Sequence, residues 1–413
     1  MKILQISTGY DISFNGGITN YVRNISTTLS SFGNEVYVLY SQDNGETKEY
    51  TYNLINYKPI LRPFHLSSVI RNSDIERIEK IVSELNPDII HVHMMIDLPI
   101  AILEMFMKYA KVVISLHDYS YVCNRIILLD REGKLCESSN SNLKCNTCIS
   151  WEETIDNRYL GGFVRKLGRT LKIDKIKDSS GHTEKFEVGK KLFSKANAII
   201  AVSNRVREIY QRNEYDNKNF FVNHIGNYTA EDDFRNSFGK RELKSDSEKL
   251  RFGFIGNLNY HKGADLFFEI AKNSKHTFHI YGGIAAGLEE TIQSLPNITY
   301  HGKYKHDELK DILKNVDVGL VLPIWEDNAP QVVFEFLNSG IPIIGTRMGG
   351  LPDFINEENG VLFDNTKVGL ESIKSYIDSN EFYIFYNRVI NNIKGTKKSS
   401  EHMDDLISIY EKL

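Results

Sequence analysis

The sequence predicts an α/β protein built from two parallel-sheet domains, and three observations point there. The chain has 413 residues, more than a single hydrophobic core organises, so two domains of ordinary size are expected. The order strand, glycine-bearing loop, helix occurs first at Lys2–Ser7, TGYDISFNGG and a helix from Ile18 to Ser31. It occurs again at Phe252–Ile255, GNLNYHKG and the apolar run ADLFFEIA. That order opens a parallel α/β unit, because the helix must cross back over the sheet before the next strand can pair.

Bulk properties narrow the function classes. The formal charge is only −4, so no strongly basic or acidic partner is implied, and no nucleic acid is expected. No apolar run approaches the roughly 20 residues of a membrane span. MKILQISTGYDIS lacks the apolar centre of a signal peptide and reads as a first strand, so a cytoplasmic enzyme is the expectation.

In the first half, Gly33 ends the opening helix and Glu35–Tyr40 forms the next strand. Gly16 and Gly17 before the helix let backbone approach a bound group closely. They do not form G-x-G-x-x-G, which speaks against a nicotinamide cofactor. Further strands are read at Ile89–His93 and Lys111–Leu116. His91 and His93 share one strand face, as packed histidines or as a metal pair, packing being the plainer reading. His117–Asp118 closes the next strand, where open α/β sheets place their ligands. All four cysteines follow, as C-x12-C-x8-C-x2-C over Cys123, Cys136, Cys145 and Cys148. A structural zinc site, packed thiols and redox chemistry all remain open readings, whereas simple disulfides do not suit a reducing compartment. The segment 158–177 is locally basic, with Leu160, Phe163, Val164, Leu167 and Leu171 at helical spacing. It suits an anionic membrane surface or a phosphate-bearing lipid acceptor, and equally an ordinary packed helix with a solvated face. Strands at Ala198–Ser203 and Phe220–Val222 complete this half, with Ser203 able to cap the helix that follows it.

In the second half, the polar stretch 236–249 reads as the domain boundary. Lys262–Gly263 stands at a helix start, an unfavourable place for a cation unless an anion sits there too. Strands follow at Thr277–Tyr281 and Asn297–His301. The stretch from Gly319 to Pro352 reads as strand (Val316–Leu322), polar loop, helix to about Ser339, a stop at Gly340, strand (Ile341–Gly345) and the Gly349–Gly350 loop. Pro330 is expected at the first helical position. The N–H groups and dipole of that helix favour an anion, and Asp327 and Glu335 point toward the same helix end, where carboxylates bind sugar hydroxyls.

In their order and spacing these features resemble the retaining GT-B glycosyltransferases of family 4, over nearly the whole chain. Asp327 and Glu335 fall on the two acidic positions of the family's E-x7-E signature, the first shorter here by one methylene, roughly 1.5 Å. The resemblance implies two doubly wound Rossmann-like domains facing a cleft: 1–228 with the terminal helix 396–413 on the acceptor side, and 229–395 binding the donor. It lends Gly17 a place at the donor phosphates. His117 and Asp327 become catalytic contacts to the reacting sugar, and Glu335 holds ribose. Lys262 grips the diphosphate, while Asn257 occupies a position that is arginine in the family. Tyr304 belongs to the base-contacting turn, and the amides from Asn328 through Ala329 and Pro330 to Gln331 face the leaving phosphate. The cysteines resemble a cysteine-bearing loop in one branch of the family, which implies a structural knot rather than catalysis. The implied activity is transfer of a sugar from a nucleotide-diphosphate sugar to a glycan or lipid-linked acceptor, without a catalytic cofactor. Bacterial surface polysaccharide synthesis at the inner face of the membrane is its implied setting. A UDP-sugar 2-epimerase and a non-catalytic sugar-nucleotide-binding protein are the alternatives.

Overall fold

A computed structural model describes residues 1–7, 16–41, 49–57, 72–95, 98, 100–136, 145, 148 and 181–413. The chain divides into two compact units, Met1–Asn223 with Met403–Leu413, and His224–His402.

The first unit carries seven strands: β1 (Lys2–Ile6), β2 (Glu35–Tyr40), β3 (Asn53–Asn56), β4 (Ile89–Val92), β5 (Lys111–Leu116), β6 (Ala198–Ala201) and β7 (Phe220–Val222). They lie in the order β3-β2-β1-β4-β5-β6-β7, every pairing parallel. β4 and β6 are buried along their whole length, as strands covered by helices on both faces must be. The helix Gly17–Ser31 turns Tyr21, Val22, Ile25 and Leu29 inward and ends at Gly33 with φ +79°. Ser203 caps the helix Asn204–Arg212 through the Val206 N–H. The terminal residues Met403–Leu413 also belong here, anchored by Tyr410, whose hydroxyl lies 2.5 Å from His91 Nδ1.

The second unit repeats the plan with β8 (Arg251–Ile255), β9 (Thr277–Tyr281), β10 (Ile298–Gly302), β11 (Val318–Val321), β12 (Ile343–Thr346) and β13 (Gly360–Phe363). Its order, β10-β9-β8-β11-β12-β13, is the dinucleotide-fold order with a switch point between β8 and β11. The helix Gln331–Asn338 buries Val333, Phe334, Phe336 and Leu337. Phe336 lies flat over β11 because Gly319 offers no side chain: a Cβ there would fall 2.4 Å from the ring. This close approach fixes the helix, and with it Glu335, beside the strand end.

Several expectations need correction. The unit boundaries fall at 223/224 and 402/403, not at 228/229 and 395/396, because the two crossing segments hold each other on the second unit. Asn227 N–H donates to Lys397 O at 3.1 Å, and Thr396 bonds Asn338. The polar stretch 236–249 lies inside the second unit, where Arg241 donates to the carbonyls of Ser339, Val316 and Leu313. Pro330 is the residue before the helix, with ψ 124°, and not its first helical residue. β3 and β13 were missed. Asn53–Asn56 is a polar edge strand with no residue fully buried, and Gly360–Phe363 is four residues behind an Asn-Gly turn, so neither carries the alternation that marks a strand.

Candidate active site

The sequence places glycines where strands end, and this is what opens the cavity. At the carboxyl ends of β8 and β11, on either side of the switch point, a cavity of about 240 Å³ is lined by Gly256, Asn257, Lys262, Tyr304, Leu322, Pro323, Asp327, Pro330, Gln331 and Glu335, among others. Ligands of open α/β sheets bind in this crevice. Lys262 is the one cation among the lining residues.

Lys262 is placed by its neighbours. Asn259 caps the turn Tyr260–Lys262, its Oδ1 accepting the Lys262 N–H at 3.0 Å. Gly263 follows with φ +83°, and a Cβ there would meet Leu322 O at 1.9 Å. Only glycine takes that conformation at that proximity, so the turn lies directly against the end of β11. The Lys262 ammonium then donates to Asp327 Oδ2 at 2.5 Å and stands 5.6 Å from the centre of the Trp325 ring. Next to it, burial and the Lys262 charge hold the His261 imidazole below its ordinary value.

Asp327 is 8% exposed and is held through its backbone. Its carbonyl accepts the Gly350 N–H at 2.7 Å. Gly349, at φ +54°, lies so close that a Cβ would come within 2.0 Å of the same carbonyl. Glu326, buried beside it, accepts the Gly349 N–H at 3.2 Å. The Gly349–Gly350 loop is therefore a clamp on the acidic loop. Glu335 stands on the partly buried side of its helix, and burial pushes its carboxyl up to about 7. Burial, with the Glu335 charge nearby, raises the Tyr304 hydroxyl to about 12 and raises Tyr228 as well.

The structure thus brings Asn257, Lys262, Tyr304, Asp327, Pro330, Gln331 and Glu335 into one cavity. Asn328 is buried and Ala329 partly buried, and neither lines it. The amide set narrows too. Proline has no N–H, and Val333 N–H is used by Pro330 O at 3.1 Å, which leaves Gln331 and Val332 to supply the first helical N–H groups. Asn227, to which the sequence assigned nothing, donates to Gln331 Oε1 at 2.8 Å. Its partner is 104 residues away, so no local signal reveals it.

Gly17 and His117 lie on the first unit. Gly17 begins its helix, with Gly16 before it at φ −70° and open space where either Cβ would stand; the preceding loop is outside the described residues. His117 follows β5 and faces His93, Nε2 to Nδ1, at 3.2 Å, with the Tyr21 ring at 4.7 Å. His91 and His93 are both buried, their rings 3.9 Å apart and tilted by 45°. The four cysteines are thiols. Burial pushes the Cys148 thiol up, Arg125 opposes this, and the sulfurs of Cys123 and Cys136 are near enough to add to it. Among the described residues, no group of three or more His, Cys, Asp or Glu is gathered to hold a metal ion. As placed, the cysteines are not a closed tetrahedral set. The basic segment 158–177 lies outside the described residues, and among those described no helix is long and apolar enough to cross a membrane.

Two Rossmann-like units in one chain, the second with a polar cavity at its switch point, define the class of GT-B proteins. The family model described as Glycosyltransferase Family 4 matches residues 15–226, and that of Glycosyl transferases group 1 matches 249–377. The chain belongs to glycosyltransferase family 4. It is 22% identical, over 93% of its length and 96% of the relative's, to an uncharacterized 42.6 kDa protein in the cps region of Klebsiella pneumoniae. Among solved structures it is similar to Anabaena Alr3699/HepE in complex with UDP and glucose (12% identity, TM-score 0.62, all of both chains). It is also similar to WaaG, a glycosyltransferase involved in lipopolysaccharide biosynthesis (13% identity, TM-score 0.61, 99% of both chains).

Proposed function

We propose that this glycosyltransferase moves a sugar from a nucleotide-diphosphate donor to a glycan or lipid-linked acceptor, with retention of anomeric configuration. The setting would be surface polysaccharide assembly on the cytoplasmic side of a bacterial membrane. The observation that carries the donor reading is one cavity holding an ammonium, two carboxylates and a helix start, Lys262, Asp327, Glu335 and Gln331. A nucleotide sugar presents the complementary set: a diphosphate, sugar hydroxyls and ribose hydroxyls. The cps-region relative and the UDP complex of Alr3699/HepE support the same direction.

On donor binding the Lys262 ammonium passes from Asp327 to the diphosphate, releasing the aspartate to accept sugar hydroxyls. Glu335, ionised, accepts the ribose hydroxyls, with Tyr304 beside the base. His117 contacts the sugar from the first unit, and Gly17 allows close approach to the phosphates. As the bond from the anomeric carbon to the diphosphate oxygen breaks, charge builds on the leaving phosphate, where Lys262 and the Gln331 N–H oppose it. The acceptor hydroxyl adds to the same face and gives its proton to the departing phosphate oxygen. Retaining hydrolases use two carboxyl groups about 5–5.5 Å apart and a covalent intermediate; the same-face route needs no second carboxylate. A structural zinc would be held by the thiolates of Cys123, Cys136, Cys145 and Cys148. Metal analysis of freshly purified protein decides it, and less than about 0.2 equivalents removes the site.

The experiment is a screen of nucleotide-diphosphate sugars for turnover with an undecaprenyl-type or oligosaccharide acceptor, the product's anomeric proton being read by NMR. Transfer with the donor's own configuration supports the proposal. Inversion, or turnover of donor to an epimer without acceptor, overturns it.

A further inference from the structure

At the outer edge of the second sheet two imidazoles face each other. His279 stands on β9 and His301 on β10, the edge strand, and neither lines the donor cavity. The pairing of β10 with β9 sets Thr299 opposite His279 and Tyr300 opposite Ile280, then resumes with Gly302 opposite Tyr281. His301 is the residue the register skips, and a skipped residue is re-aimed by the local bend of its strand. Its ring lies flat on Tyr281, with 4.2 Å between centres and 8° between planes. Its Nε2 stands 3.1 Å from His279 Nδ1. His279 is half-buried and His301 exposed.

The protons along this row follow from a backbone carbonyl. Leu250 O can only accept, so the Thr277 hydroxyl gives it a hydrogen, at 3.4 Å. The Thr277 oxygen then accepts from His279 Nε2, 3.2 Å away. With its proton on Nε2, neutral His279 carries its lone pair on Nδ1, on the side of His301. Without an ion, His301 Nε2–H donates into that lone pair. With an ion, His301 carries its proton on Nδ1 instead, and both facing nitrogens offer lone pairs. Burial, with the His301 and Arg251 charges, holds His279 below its ordinary value against the pull of Asp317, and burial lowers His301 too. The neutral forms that can ligate are thus favoured at neutral pH.

We propose that His279 and His301 form a two-histidine site for a late first-row divalent ion of the zinc, copper or nickel class, with water completing the coordination. Two imidazole nitrogens bound to one ion at about 2.0–2.1 Å stand roughly 2.9–3.3 Å apart, from square to tetrahedral geometry. The pair already stands at 3.1 Å. Thr277 holds His279 in the ligating tautomer, as a hydrogen-bonded partner does behind a metal-bound histidine. Imidazole selects this class over magnesium and calcium, which take oxygen ligands. Two protein ligands leave open positions, so the ion is exchangeable and the site is not a closed structural one.

The test uses the full chain, stripped with chelator and labelled with ¹⁵N-histidine, titrated with nickel chloride. Paramagnetic broadening should reach the ring signals of His279 and His301 first among the 12 histidines, at less than one equivalent. Magnesium chloride should leave both unchanged. By calorimetry, His301→Asn should bind one nickel ion fewer per chain than the native protein, so that any ion on the cysteines cancels in the difference. Thr277→Val should weaken that site about 10-fold. Ring signals of His279 and His301 untouched by excess nickel, or broadened no sooner than the other histidines, overturn the inference. So does an equal nickel count in His301→Asn, or a magnesium response matching that to nickel. The native spectrum needs no variant, so a substitution that fails to fold cannot hide the result.

Discussion

Lys262 and Asp327 satisfy each other within the cavity, and that pairing sets what their substitutions should do. Removing the ammonium deletes a charge-assisted hydrogen bond to the diphosphate and also leaves a buried carboxylate unpartnered. With such a bond worth about 1.5–3 kcal/mol, Lys262→Ala should lower kcat/KM for the donor about 10- to 150-fold. Asp327→Asn should weaken turnover while tightening a plain nucleoside diphosphate, since the lysine no longer has a competing anion. Steady-state kinetics and a binding titration check the pair. Glu335 gives a pH prediction with a definite sign. Its carboxyl is raised from 4.5 to about 7 by burial, so the folded protein holds a proton that the unfolded chain has released. The stability this contributes is present below the unfolded value and is lost as pH rises through the folded one. Denaturant unfolding should therefore show stability falling from about pH 4.5 to 7 by an increment that Glu335→Gln lacks. Donor KM should improve over the same window as the ribose acceptor ionises. Lys262 was legible because it stands beside Gly263 at a helix start, and Asp327 and Glu335 because they fall on either side of Pro330 at the spacing of the acidic signature. The Lys262–Asp327 pair, the Asn227–Gln331 bond and the Glu326 hold on Gly349 were not, because each joins residues far apart in sequence.

At the scale of elements, the site depends on two places where backbone touches backbone. Gly263 presses its turn against Leu322, and Gly349 presses its loop against Asp327. A methyl at either position meets a carbonyl oxygen in a conformation that side chains rarely adopt. Gly263→Ala should destabilise the protein by about 2–4 kcal/mol, combining strain at a positive φ with overpacking. It should also lose donor binding beyond what the stability change explains, because Lys262 moves with the turn. Denaturant midpoints and donor titration on the same samples separate the two effects. The sequence marked both glycines, the first beside a lysine expected to meet an anion and the second in the loop after a strand. What it could not show was the partner strand or loop that makes each glycine obligatory. The same limit hid β3 and β13, short outer strands whose assignment comes from their neighbours and not from their own pattern.

For the whole molecule, two repeats of one strand order were readable from length and from the two strand–loop–helix openings. The seams were harder. The chain crosses between units twice, and residues 224–228 and 396–402 read as ends of the first unit until their mutual hydrogen bonds place them on the second. A ligand confined to the second unit should stabilise the folded chain by mass action, about 2.7 kcal/mol at a hundredfold excess over Kd. In a protein of this size that is a Tm rise of a few degrees. Lys262→Ala should lose about half of that rise or more at the same ligand concentration, each protein being compared with its own unliganded Tm.

The most direct measurement is a calorimetric titration of the full chain with nucleoside diphosphates and their sugars, in parallel for the native protein and Lys262→Ala. The account predicts one site per chain for at least one nucleotide, weakened about 10-fold or more by the substitution. Equal affinity in both proteins, or no binding by any nucleotide in the native one, would contradict it.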